Sequence, residues 1–109
     1  MKTASAKAKG RKLQQHIAKR IQEVFDLHKD DVRSTPMGVS GSDVMMSPKA
    51  KEKFPFDVEA KNTEKINVWK AYEQSAVRTK LTPLLVIKKN RKQPLVVLDF
   101  EDFLDILKE

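Results

Sequence analysis

Apolar residues recur at helical spacing early in the chain. Leu13, Ile17, Ile21, Val24 and Phe25 fall on one face and predict a first helix over about residues 10–28, with Arg11, Lys12, Lys19 and Arg20 on its other faces. The pattern then shortens. Val32–Thr35 reads as a strand, residues 36–42 as a flexible loop built on Pro36, Gly38 and Gly41, and Asp43–Ser47 as a second strand. Pro48–Pro55 reads as a lysine-rich turn, and Phe56–Lys61 as a third strand. Helical spacing returns between Asn67 and Thr79 through Val68, Trp69, Tyr72 and Ala76, with core or dimer contact expected for Trp69 and Tyr72. Leu84–Lys88 is a continuous apolar run, typical of a strand buried on both faces. Asn90–Gln93 forms a hairpin turn into Leu95–Leu98. Asp99 is positioned to cap a last amphipathic helix carrying Phe100, Phe103, Leu104 and Leu107. The order is αβββαββα, an α/β fold.

Alternation along the third strand has a chemical consequence. Val58 and Ala60 point into a core, whereas Asp57, Glu59 and Lys61 project from the other face, with Glu59 and Lys61 about 6.6 Å apart along it. Acid and amine on one face, with a further acid at Asp43 after the Ser40-Gly41-Ser42 turn, supply the parts for metal-assisted phosphodiester hydrolysis. Asp57 sits at the strand's start and is expected to face solvent.

Charge points to the same class of substrate. The 109 residues carry a formal charge of +7. Residues 1–20 hold Lys2, Lys7, Lys9, Arg11, Lys12, Lys19 and Arg20 with no acid, whereas residues 99–109 hold five acids against Lys108 alone. A basic face for a polyanion follows, with the acidic end turned elsewhere. Residues 1–8 are expected to form a flexible basic tail, and residues 9–109 a single domain.

Other chemistries are excluded. There is no cysteine, hence no disulfide, thiolate zinc site or thiol nucleophile, and His16 and His28 are too few for a histidine metal cluster. No apolar run approaches the ~20 residues of a membrane span, so a soluble, cytoplasmic protein is expected.

These elements, in this order, resemble the PD-(D/E)XK nuclease core shared by restriction enzymes and archaeal-type Holliday junction resolvases. Lys9-Gly10-Arg11 is similar to the basic entry of the first helix in resolvase-like members. Ser40-Gly41-Ser42-Asp43-Val44 resembles their metal-binding turn, and Val58-Glu59-Ala60-Lys61-Asn62 their central catalytic strand. The stretch from Glu64 to Gln74 is similar to the following helix of many phage members, including a glutamine that faces the site.

The resemblance implies a restriction-endonuclease-like core, a mixed central β-sheet flanked by helices. It implies Asp43, Glu59, Lys61 and Gln74 as the catalytic set, with Mg²⁺ or Mn²⁺ held by Asp43, Glu59 and the Ala60 carbonyl. Lys61 would orient the attacking water or stabilise charge on the phosphate, and Gln74 would position water or DNA. Lys9, Arg11, Lys12 and Arg33 are the expected phosphate contacts, joined by Ser40 and Ser42 of the turn. Where many resolvase-like members carry a helix glutamate, this chain has Gln14 and Gln15, expected DNA contacts whose amides can bind a phosphate or a metal-held water but bring no charge.

The expected function is a metal-dependent DNA endonuclease of phage type, acting on branched DNA as a homodimer in a host cytoplasm. The alternatives are a nicking, homing or repair endonuclease on the same core, and a DNA-binding protein of this fold that does not cut.

Overall fold

The computed structural model describes residues 2–76 and 81–108. Its elements run α1 (Lys2–Phe25), β1 (Val32–Ser34), β2 (Val44–Met46), α2 (Pro48–Lys53), β3 (Phe56–Asn62), α3 (Val68–Ala76), β4 (Thr82–Lys88), β5 (Leu95–Val97) and α4 (Phe100–Lys108). The expected order is present with one addition, α2. The expected end of the second helix at Thr79 lies outside the described residues.

β4 organises the molecule. Its Leu84, Leu85 and Val86 are all buried, so both faces must be covered. α1 covers one face, packing Leu13, Ile17, Ala18 and Ile21 against Val58, Leu84 and Val86, while α3 lies against β4 with Ala71 and Ser75 buried. β3 runs parallel to β4, with Val58 beside Leu84 and Ala60 beside Val86. A parallel pair needs a crossover, and α3 supplies it. β5 adds antiparallel to β4, which makes a mixed three-stranded sheet in the order β3-β4-β5.

β1 and β2 form a separate antiparallel hairpin, with Val32 opposite Met46 and Ser34 opposite Val44. It packs on α1 through Val32 and Val44, the first fully buried and the second nearly so. Met46 joins this core whereas Met45 is exposed.

α1 differs from expectation at both ends. It starts at Lys2 and so runs through the segment assigned to a tail, since alanine and lysine sustain a helix without packing partners. It stops at Phe25 because Asp26 adopts φ +53°, and the Leu27 N–H bonds back to the Gln22 carbonyl at 2.9 Å. That six-to-one bond closes the helix as a Schellman turn and tucks Leu27 into the core. Val24, expected on the packed face, is exposed.

The lysine-rich segment after β2 is a helix rather than a turn. Ser47 caps it, its Oγ accepting from the Ala50 N–H at 3.2 Å, and Pro48 occupies the first turn where no N–H is needed. The Ser47 hydroxyl also donates to Asp31 Oδ1 at 2.8 Å, which ties the cap to the start of β1.

Trp69, expected in the core or at a dimer contact, is 79% exposed and so lies outside this chain's core. Tyr72 is half-buried, and its hydroxyl donates to the Pro83 carbonyl at 3.2 Å while accepting from the Asp99 N–H at 3.1 Å. It therefore stitches α3 to β4 and to the start of α4. Burial, reinforced by the Asp102 and Asp99 carboxylates against the opposing pull of the Asp99 N–H, raises the Tyr72 pKa.

Tyr72→Phe is expected to cost about 1 kcal/mol at pH 7, the usual net value of a hydrogen bond. A raised folded pKa means that this stabilisation is fully present below the unfolded tyrosine value near 10 and lost as pH rises through the folded one. Urea unfolding from pH 7 to 11 checks both. The gap between wild type and Tyr72→Phe should narrow above about pH 10.

α4 is capped as its sequence implies, with Asp99 Oδ1 accepting from the Asp102 N–H at 3.1 Å. None of its described residues is buried, and Phe100, Phe103, Leu104 and Leu107 leave an uncovered apolar stripe.

Candidate active site

Asp43 is held against β3 by two hydrogen bonds and against the end of β1 by a third. Its N–H donates to the Val58 carbonyl at 2.9 Å, its Oδ2 accepts from the Ala60 N–H at 2.7 Å, and its own carbonyl accepts from the Thr35 N–H at 3.0 Å. The carboxylate thus takes the place of a neighbouring strand's carbonyl. This is why the hairpin and the sheet meet here without a regular ladder, and why Asp43 precedes β2 instead of lying within it.

The turn before Asp43 is fixed by its neighbours. Gly41 adopts φ +110°, a region that side chains disfavour. The Ser42 hydroxyl is shared between the carbonyls of Val44 and Val58, each at 3.1 Å, and Thr35 Oγ1 donates to the Ser42 carbonyl. Ser42, expected as a DNA contact, therefore spends its hydroxyl on holding the turn that carries Asp43. Thr35 was not legible as part of the site, because its role depends on a bond seven residues along the chain. Ser40 is exposed.

On β3 the alternation holds. Val58 is fully buried and Ala60 packs on the core, while Glu59 and Lys61 project from the other face. Glu59 Oε2 lies 3.7 Å from Lys61 Nζ, with the acid's side chain 14% exposed and the amine's 40%. At that distance the pair is held by charge rather than by a well-formed hydrogen bond. A strand residue directs its N–H and C=O to the same side, so the Ala60 carbonyl lies at the edge where its N–H meets Asp43. Asp43, Glu59, Ala60 and Lys61 are brought together.

The donor set fits a hard divalent cation. Two carboxylates and a main-chain carbonyl are oxygen ligands of the kind that Mg²⁺ and Mn²⁺ take, and the Ala60 N–H orients the Asp43 carboxylate. Among the described residues no three histidine, aspartate or glutamate side chains cluster closely enough to hold a metal by themselves. Asp57, half-buried at the start of β3, does not complete such a trio.

The remaining expected residues are spread over the surface. Lys9 is half-buried, and Arg11, Lys12 and Arg33 are exposed. Gln14 lies on the same helical row as Ala18 and Gln22, and Gln22 Nε2 donates to the Val32 carbonyl at 2.7 Å, so that row faces the β1–β2 hairpin. Gln15 is exposed and shares a shallow groove with Arg33. Gln74 is exposed on α3, one residue before the buried Ser75. His16 and His28 are exposed.

An α/β domain with a mixed sheet, an acid fixed at the edge of a central strand, and Glu-x-Lys on that strand has the layout of a PD-(D/E)XK nuclease. The family model described as "Phage putative PDDEXK endonuclease" matches residues 5–109. The chain belongs to that family, whose nuclease character makes DNA the substrate class. No curated protein matches the chain. No solved structure matches it. No helix among the described residues is long and apolar enough to cross a membrane.

Proposed function

We propose that the protein is a divalent-metal-dependent DNA endonuclease selective for DNA structure, resembling Holliday junction resolvases. The observation that carries this reading is the hydrogen bond from the Ala60 N–H to Asp43 Oδ2 at 2.7 Å, because it sets a second carboxylate beside the Glu59-Ala60-Lys61 strand.

Asp43, Glu59 and the Ala60 carbonyl would hold Mg²⁺ or Mn²⁺, which when bound lowers the pKa of water and neutralises charge on the scissile phosphate. Lys61, free to swing on its long stem and tethered electrostatically by Glu59, donates to the attacking oxygen or to a non-bridging phosphate oxygen. A phosphorus–oxygen bond forms to a water oxygen, whose proton passes to solvent, as the bond to the leaving sugar oxygen breaks, and that leaving oxygen takes its proton from solvent. Lys9, Arg11, Lys12 and Arg33 grip backbone phosphates, which carry no base information. Ser40 and Gln15, both exposed, extend that contact, and Gln74 serves as a DNA contact on α3. Gln14 or Gln15 fills the place of a helix glutamate with a neutral amide.

The selectivity is tested with labelled four-way junction, flap, nicked, duplex and single-stranded DNA, each with Mg²⁺, Mn²⁺ or EDTA. The junction should be cut fastest. Equal rates on duplex and junction would replace this reading with a nicking, homing or repair endonuclease on the same core. Metal-independent retention of DNA without scission would replace it with a non-cleaving binder.

Paired incisions across a junction call for two active sites, and a homodimer related by a twofold axis provides them economically. The exposed stripe of Phe100, Phe103, Leu104 and Leu107 on α4 is the proposed contact. Sedimentation equilibrium at micromolar protein should give twice the 12.5 kDa chain mass. A clean monomer with and without junction DNA would remove the paired-incision model.

A further inference from the structure

Between the N-terminal half of α1 and the β4–β5 hairpin lies a pocket of about 620 Å³ that the catalytic assignment leaves unused. Lys9, Lys12, Lys88, Arg91 and Lys92 line it, with His16, and no acidic residue does. No ion pair engages any of these five cations among the described residues. Glu64 accepts from the Asn90 N–H at 2.7 Å and lines a neighbouring groove, to which Lys88 and Lys92 also contribute. A concavity walled by one sign of charge concentrates the opposite sign.

Two details point to a ligand rather than to chance crowding of lysines. Asn62 also lines the pocket, and its Oδ1 is buried without a hydrogen-bond partner while its Nδ2 donates to the Lys9 carbonyl at 3.4 Å. An orphaned buried acceptor destabilises the fold unless a donor reaches it. A lysine ammonium has three donors, enough to reach Asn62 Oδ1 and an anion together. Arg91, moreover, adopts φ +64°, where glycine or asparagine would sit at less cost. The strained position carries a long cationic side chain into the pocket.

Position supplies the link to function. Asn62 directly follows Lys61 on β3, and their side chains leave opposite faces of the strand. The pocket therefore lies across the C-terminal end of β3 from the candidate active site. We propose that it is a phosphate-binding site that grips the backbone of the DNA being cut, at a phosphodiester away from the scissile one. The inference rests on the reading of the chain as a DNA nuclease and adds Lys88, Arg91, Lys92 and Asn62 to its interface.

The test is fluorescence anisotropy with labelled duplex and four-way junction in EDTA, over a range of salt. Wild type is compared with Arg91→Gly, Lys92→Ala, the double variant, and a control carrying Lys49→Ala and Lys51→Ala on α2. Arg91→Gly should melt at the same or a higher temperature, since glycine adopts the turn freely, so weaker binding cannot be laid to unfolding. The double variant should bind roughly tenfold or more weakly near 0.1 M salt and reduce the salt slope by about two, with the control unchanged. Wild-type affinity in the double variant overturns the proposal. So does a pocket that takes millimolar inorganic phosphate, seen as a thermal shift abolished in the double variant, while DNA affinity is unaltered; it would then serve a free anion. If wild type cuts nothing with Mg²⁺ yet the variants show the same drop in affinity, the pocket stands and only the catalytic reading fails.

Discussion

Glu59→Gln and Lys61→Ala are each expected to lower single-turnover cleavage by roughly three orders of magnitude while changing DNA affinity by no more than a few-fold. Glu59 is sheltered and Lys61 more open, 3.7 Å apart on the face of β3 that does not pack on α1. Replacing the acid by its amide keeps the shape and removes the charge that a cation needs. Removing the amine takes away a donor whose interaction strengthens as charge builds on the phosphate, so turnover falls rather than binding. Asp43 allows a sharper separation. Asp43→Asn can still accept from the Ala60 N–H, and should retain the fold while abolishing cleavage, whereas Asp43→Ala also leaves that N–H unpaired and should cost about 1–3 kcal/mol of stability. Rapid-quench kinetics and urea unfolding on these variants read the two effects apart. Near wild-type cutting by Glu59→Gln or Lys61→Ala would refute the site assignment.

The second large effect concerns the basic face of α1. Reversing Lys9, Arg11 and Lys12 to glutamate should weaken binding to duplex, junction and single strands alike, by on the order of a thousandfold near 0.1 M salt. Each cation withdrawn from a phosphate lowers the slope of log affinity against log salt by about 0.9 on duplex DNA, so three such changes flatten it by nearly three. Lys9 and Lys12 also line the pocket beside the β4–β5 hairpin, so the effect should overlap with that of Arg91→Gly instead of adding to it in full. An unchanged slope would place the DNA on another face.

Much of this architecture was legible in the pattern of apolar positions. The run Leu84-Leu85-Val86 announced a strand covered on both faces, and the alternation Val58, Glu59, Ala60, Lys61 announced a strand with one working face; both stand in the structure. What the pattern missed was decided by single residues with special backbone roles. Asp26 ended α1 short of the expected boundary at residue 28, and Ser47-Pro48 started a helix where lysines suggested a turn, although that pair is a helix-start signal in its own right. Trp69 lies at helical spacing with Tyr72, yet only the tyrosine packs, because helical spacing specifies a face and not what covers it.

The site divides in the same way. Glu59 and Lys61 are two residues apart on one strand, so periodicity alone joins them. Asp43 is joined to them by hydrogen bonds across 15 and 17 residues of chain, through Val58 and Ala60, which no local pattern encodes. Ser42 read as a ligand contact and proved to be a brace, since a hydroxyl's partner is set by the turn around it. The basic pocket escaped the sequence altogether: its cations come from α1, β4 and the hairpin, segments far apart along the chain.

The most direct measurement is cleavage of labelled junction and duplex DNA by the purified protein in Mg²⁺, in EDTA, and in EDTA followed by excess Mg²⁺. A metal-dependent nuclease built on Asp43, Glu59 and Lys61 predicts scission in Mg²⁺, none in EDTA, and recovery when the cation is restored. Scission that persists in EDTA, or DNA held uncut at saturating protein in Mg²⁺ and Mn²⁺ alike, would contradict it.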